Sequence, residues 1–283
     1  MEATKQSEII TSTSARFLVL VLCSFLCFGS YFVYDNPMSL QEALMSVRFL
    51  QKLNINLLEF NMLYSIYSFP NIFLPLLAGY TVDTLGARLC ILIFSCLVCI
   101  GQGIFVLGVE ASNYWIALLG RGVYGIGSES LICKLYSVAQ CGIIAKWFRN
   151  KELSTAIAIN ISISDMGCVL NAWLQPHMNA WGSMSMGLWI GFIVCIFSVI
   201  CGFGVNYYDA KREKLVPSMN SNSEKRVNIS NIKEFSINYW LIVLTSCVLY
   251  ICVMPFFNIA TGFMNDRFGF SATRAGEIIV EFM

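Results

Sequence analysis

The stretch GRGVYGIGSES, Gly120 to Ser130, sets Arg121 and Glu129 inside a run that is otherwise apolar and glycine-rich. Charges of opposite sign in such a run can hold a charged solute, relay a proton, or pair with neighbours. At ~1.5 Å rise per residue, Arg121 and Glu129 stand about 12 Å apart along a helix axis, so they do not form a direct pair on one face. Two further ionisable residues follow: Lys134, and Asp165 within Ser162–Gly167. Glu129 therefore has a structural alternative in Lys134 or Arg121, and Asp165 has one in Lys134.

Enzyme chemistry finds little to work with. There is no HExxH, GxSxG or phosphate-loop pattern, and His177 is the single histidine, expected in a short loop beside Pro176. The twelve cysteines lie in or at the ends of apolar runs, without paired CxxC spacing and accompanying histidines, and read as small packing residues. The expectation is a protein that is not an enzyme and takes no cofactor and no metal.

The elements that must carry these charges are set by composition. The chain is 57% hydrophobic and 12% charged over 283 residues, with a mean hydropathy of +0.67, more apolar than an ordinary globular domain. Apolar runs of roughly the 18 to 25 residues that cross a hydrocarbon core as helix recur along it. Seven are expected: Phe17–Tyr34, Phe60–Tyr80, Leu89–Val109, Tyr114 to about Ala145, Leu153–Leu174, Met186–Val205 and Tyr239–Ile259. Alternating barrel strands are absent from the pattern, and backbone in lipid must satisfy itself, so the class is all-α polytopic membrane protein. The lipid bilayer is thus a partner, and a net charge of +1 without a basic face speaks against nucleic acid.

Basic residues fix the expected orientation. Alternating connections put Lys5, Arg16, Arg88, Lys146, Arg149, Lys151, Lys211, Arg212, Lys214, Lys225, Arg226 and Lys233 on one side, against Arg48, Lys52, Arg267 and Arg274 on the other. The amino terminus is accordingly expected in the cytosol. The domains are then a tail at 1–16, a six-helix bundle at 17–206, a cytosolic linker at 207–237, and a seventh span with the start of an eighth at 238–283. The linker, from DAKREK to EKRVNISNIKEF, is too polar to bury a core. Asn228-Ile229-Ser230 within it is a formal glycosylation sequon expected to stay unused on the cytosolic side.

Two motifs add to this layout. Gly79-Tyr80-Thr81-Val82-Asp83-Thr84-Leu85-Gly86-Ala87-Arg88 follows the second span: Gly79 and Gly86 permit a tight turn, Asp83 can accept from a helix amino terminus, and Arg88 can pair at the cytosolic surface. A Gly-Asp-Gly turn with one arginine is also ordinary helix-connection chemistry. The pattern nonetheless resembles the GxxxDxxGxR loop of the major facilitator superfamily, and Arg121, Gly125 and Gly127 resemble its RxxxGxG pattern. FGSYFVYDNP at Phe28–Pro37, GRGVYGIGSESL, KWFRNKEL at Lys146–Leu153 and PFFNIATG at Pro255–Gly262 resemble the lysosomal dipeptide uniporter branch of that superfamily.

The resemblance implies a major facilitator fold of twelve helices, with this chain as the amino-terminal six-helix bundle and the start of the second. It implies transport of dipeptides from an acidic lysosome-like lumen to the cytosol by alternating access, and a glycosylated single-span accessory subunit. It also implies that Glu129 binds a peptide's ammonium group. Arg121, Asp165 and Asn160 are the other candidate substrate-binding residues; Gly79, Asp83, Gly86 and Arg88 are gating candidates. Gly122, Gly125 and Gly127 allow close helix packing.

The sequence departs from that branch twice. Relatives carry a basic residue where Asp165 stands, and a site with Glu129 and Asp165 favours a cationic solute or proton coupling. Ile132–Ser137 reads as an insertion, and Tyr114 to Phe148 is expected to continue as a tilted helix overrunning into the cytosol. Ile9-Ile10 lacks the acidic residue four positions earlier that a sorting signal uses, so the lysosomal destination rests on the resemblance. The alternatives are a facilitator for a cationic amino acid or sugar, and a non-transporting receptor-like subunit. Residues 1–283 alone are expected to be a truncated product without transport, leaving Gly29, Gly125, Glu129 and Asp165 toward lipid unless a partner covers them; saturable solute flux in liposomes would refute this.

Overall fold

The structure, a computed structural model, describes residues 13–41, 44, 55–72, 85–128, 143–145, 147–148, 151–181, 184–215 and 236–282. Among these residues there is no strand. The principal elements are α1 (Thr13–Tyr34), the short α2 (Asn36–Ser39), α3 (Leu57–Ser68) running into a 3-10 turn (Phe69–Ile72), α4 (Ala87–Glu110), α5 (Tyr114–Gly127), α6 (Lys151–Trp181), α7 (Met184–Leu215), α8 (Ile237–Phe268) and α9 (Ala272–Phe282). Five of them, α1, α4, α6, α7 and α8, are long and apolar enough to cross a membrane. The second expected span is described as far as Ile72, and the fourth over residues 114–128 and 143–145; the rest of both lies outside the described residues.

Local chemistry sets several helix ends. Asn56 and Glu59 form a capping box at the start of α3: the Glu59 amide donates to Asn56 Oδ1 at 2.8 Å and the Asn56 amide to Glu59 Oε2 at 2.9 Å. Asn113 caps α5 through the Trp115 and Ile116 amides. Gly86 enters α4 at φ 82°, in the left-handed half of backbone space, which explains the glycine there as a backbone requirement.

Three boundaries differ from the sequence expectation. α5 ends at Gly127, with Ser128 at φ −87°, ψ −132°, so the fourth span does not run on as one continuous helix through Ser128. The Ser128 hydroxyl instead meets Ser30 Oγ at 3.2 Å. His177 lies inside α6 rather than in a loop, with its Nδ1 2.7 Å from the Trp173 carbonyl and its ring 4.9 Å from that of Trp173. The helix accommodates Pro176, which cannot donate to the Ala172 carbonyl. The backbone of Gly276 on α9 lies close enough to this carbonyl that a Cβ there would sit 2.5 Å from it. Finally, α7 carries DAKREKL as helix to Leu215, taking the first residues of the expected linker.

α1 packs between α6 and α7, and α4 lies against α5 and α7. One core gathers Leu20, Cys23, Cys27, Tyr124, Cys195 and Val205; a second gathers Phe60, Leu63, Phe105, Ala117, Ala172 and Leu188. The cysteines Cys23, Cys27, Cys195 and Cys201 serve here as packing residues. α4 and α5 approach closely, with glycines on both helices at the contact. A Cβ on Gly101 would lie 2.6 Å from Tyr124 Cα, and one on Gly120 would lie 2.7 Å from Phe105 Cα. A Cβ on Gly108 would likewise lie 2.7 Å from Ala117 Cα. Small residues at these sites let the two backbones touch, which provides close dispersion contact where no hydrophobic effect drives helices together in lipid. α8 is apolar and almost entirely exposed, its only buried residues being Ala260 and Thr261.

Candidate functional site

Arg121 is 0% exposed. It stands where α5 meets the carboxy end of α1; Pro37 has no amide hydrogen to give the Val33 carbonyl, and the Met38 amide donates to Tyr64 rather than back to Tyr34. Arg121 Nη1 donates to the Val33 carbonyl at 3.2 Å and its Nη2 to the Tyr34 carbonyl at 2.9 Å. Four rings surround the guanidinium: Tyr124 at 4.9 Å, Tyr64 and Phe105 at 5.6 Å, and Tyr67 at 5.7 Å from their centroids. Carbonyl dipoles and aromatic faces thus replace water around a cation that is costly to bury bare. In this conformation the side chain is wrapped on all sides.

The glycines around it divide. A Cβ on Gly125 would lie 2.9 Å from Tyr67 Cα, and one on Gly127 would lie 2.7 Å from the Val98 amide nitrogen, so both glycines enforce close helix contact. Gly122 is different: a Cβ there would meet Ile66 Cγ1 at an ordinary 3.5 Å. Gly125, and Gly29 beneath Ser198, are covered within the bundle. The expectation that they turn to lipid is corrected, because α3 and α7 supply their partners.

α6 presents two faces. Asn160 is buried, and its Oδ1 accepts from Ser24 on α1 at 3.3 Å. Along the same side, a Cβ on Gly167 would lie 2.6 Å from the Phe28 carbonyl, and Asn171 Oδ1 accepts from Ser39 at 2.8 Å. Asp165 points away from that seam and is exposed. Five residues of helix put it about 140° around the axis from Asn160, so the two candidates do not converge. Asp165 shares its face with Ala172 and Pro176, on which α9 packs through Gly276.

Arg88 leaves the start of α4 to reach α7. Its Nε donates to Asp209 at 2.6 Å, a second nitrogen donates to Glu213, and the Arg88 carbonyl accepts from Asn206 at 2.9 Å. The pairing that its position implied is therefore made with the end of the sixth span. Gly79, Asp83, Glu129 and Lys134 lie outside the described residues.

Sequence reasoning missed a buried group of carboxamides at the elbow after α1. Asn36 Oδ1 accepts from Asn171 and, at 3.1 Å, from Gln175, whose nitrogen also donates to the Gly187 carbonyl at 2.9 Å. Met38 donates its amide to Tyr64 Oη at 2.9 Å beside them. The DNP turn after α1 was the one local signal; the other carboxamides, Asn171 and Gln175, come from α6.

Long apolar helices packed around two cores define a polytopic membrane protein. The family model described as Major Facilitator Superfamily matches residues 17–280, and the chain belongs to that superfamily. It is similar to "Lysosomal dipeptide transporter MFSD1" of Homo sapiens, 36% identical over 274 residues, covering 93% of this chain and 57% of the human protein. The Mus musculus protein of the same name is 37% identical over the same shares. "Choline/ethanolamine transporter FLVCR1" of Mus musculus is 28% identical over 165 residues, 57% of this chain and 27% of that protein. The chain spans somewhat more than half the length of the dipeptide transporters it matches.

Proposed function

We propose that the protein moves dipeptides from an acidic, lysosome-like lumen to the cytosol by alternating access, with its amino terminus cytosolic and Glu129 and Asp165 in the solute site. The observation that supports a solute site on α6 is the position of Asp165. It is an exposed acid midway along α6, on the face opposite the seam with α1 and in line with the face that receives α9. A carboxylate in the middle of a span costs ~2.5–3.5 kcal/mol against lipid, so that face belongs to a cavity or to another protein surface. Carriers of this class bind solute near the midplane, between their two bundles. The similarity to two dipeptide transporters supports the solute class. A glycosylated single-span partner is supported by the resemblance alone, and co-purification from native membranes tests it.

Asp165 also favours a second reading, a facilitator for a compact cation, to which the likeness to a choline/ethanolamine transporter lends weight. Uptake into proteoliposomes separates the two. Residues 1–283, joined after Met283 to the part of the human relative that follows the matched region, are given labelled dipeptides, free amino acids, choline and sugars. Saturable dipeptide uptake is expected. Saturable uptake of choline or a sugar, with none of any dipeptide, would overturn the first reading.

A further inference from the structure

α8 is covered only over a short stretch near its carboxy end. Residues 244–252 are all exposed, and burial is reached at Ala260 and Thr261. There the side chain of Gln41, just past α2, lies across Gly262. Its Oε1 accepts from the Gly262 amide at 3.0 Å. A Cβ on Gly262 would lie 2.6 Å from Gln41 Nε2 and 2.8 Å from its Cδ, so the seat exists because residue 262 has no side chain.

α9 repeats the arrangement on α6. A Cβ on Gly276 would lie 2.5 Å from the Ala172 carbonyl oxygen and 3.1 Å from Pro176 Cγ. Ala260 of α8 and Ile279 of α9 join the core that holds Met38, Leu40 and Ala172. Both seats therefore lie toward the end of the molecule where α1 and α6 finish, while residues 244–252 of α8 stand clear of the spans before them. Among the described residues, no ion pair joins α8 or α9 to those spans. The joint rests on apolar contacts and a carboxamide bond, and flat glycine seats part without side chains having to unthread.

We propose that Gly262 and Gly276 are the two seats of a latch that closes this end of the carrier, with the Gln41 side chain as its bolt, and that the latch is shut in this structure. In the proposed orientation this is the luminal end. A latch presupposes the carrier reading, in which a solute site between two bundles opens to one side at a time. Two of its residues are glycines because a side chain at either position would hold the seventh and eighth spans off the first and fifth.

The joined protein of the uptake assay serves for the test. Thr261, 3% exposed beside Gly262, is changed to cysteine, and its labelling by a membrane-impermeant maleimide is read by peptide mass. Slow labelling is expected with Gly262 in place, and labelling about tenfold faster with Gly262→Leu, whose side chain blocks the seat. Uptake by Gly262→Leu is expected to fall about tenfold in maximal rate, with the unfolding midpoint unchanged because the cores away from the joint are untouched. Gln41→Ala, which removes the bolt and fills nothing, shows the same changes in smaller measure and makes the comparison if leucine at 262 prevents folding. Equal labelling of Thr261→Cys with and without these changes, or full uptake by Gly262→Leu, would overturn the latch. Absence of uptake by the joined protein before any substitution counts against the carrier reading instead, and the labelling still decides whether this end is held shut by Gly262.

Discussion

Arg121 Nη2 and the Tyr34 carbonyl oxygen, 87 residues apart in the chain, lie 2.9 Å from each other. The charge of the fourth span thereby closes the open end of the first. Replacing Arg121 with leucine leaves the Val33 and Tyr34 carbonyls unsatisfied in a dry site. The loss is expected at about 1–3 kcal/mol, the cost of leaving a buried acceptor without its donor. Arg121→Lys keeps the charge but reaches one carbonyl, and is expected to fall between leucine and wild type. Thermal unfolding in detergent measures both, and equal midpoints for arginine and leucine would sink the capping role.

The glycines of the fourth span make an internally controlled pair. Gly125→Ala drives a methyl group into the Tyr67 backbone and is expected to cost roughly 1–3 kcal/mol. Gly122→Ala meets Ile66 at an ordinary 3.5 Å. There the helix propensity of alanine, better than glycine by ~1 kcal/mol, should leave stability unchanged or slightly raised. A reversed order would show that this helix packs on α3 by another face.

At the base of α4, Asp209 and Glu213 both accept from Arg88 but differ in burial: the Asp209 side chain is 3% exposed and that of Glu213 62%. Asp209→Asn is expected to cost about 1.5–3 kcal/mol, the range for hydrogen bonds to charged groups. Glu213→Gln should cost less than ~1 kcal/mol and fade with added salt. Chemical denaturation of the detergent-solubilised protein at low and high salt separates them.

Asp165→Asn and Asn160→Ala should part company in function. The first is expected to alter solute selectivity in the uptake assay with little change in stability, since its side chain is exposed. The second breaks the link to Ser24 and is expected to lower stability by ~1 kcal/mol while leaving selectivity intact. Unchanged selectivity in Asp165→Asn removes that residue from the site.

The sequon at Asn228 reports orientation. Expressed in a eukaryotic membrane, the protein should show no glycosidase-sensitive mobility shift that Asn228→Gln abolishes. Such a shift would place the linker in the lumen and reverse the proposed topology.

Length and hydropathy alone determined the class of this protein, because a bilayer accepts few backbone solutions and a helix that crosses it must be long and apolar. α1, α4, α6, α7 and α8 fall where the apolar runs put them. The glycine motif of the fourth span was legible for the same reason: in lipid, close approach needs a missing side chain wherever the partner lies. Hydropathy does not say which way a side chain faces. Asn160 and Asp165 look alike as polar residues of one span, and only the packing of α6 on α1 turns one inward and the other out. Arg121 read as a candidate for solute because its partners, the Val33 and Tyr34 carbonyls, are main-chain atoms that no side-chain pattern announces. The carboxamide elbow stayed hidden because Asn36 stands on α2, and Asn171 and Gln175 on α6. Their convergence exists only once the two helices are packed together.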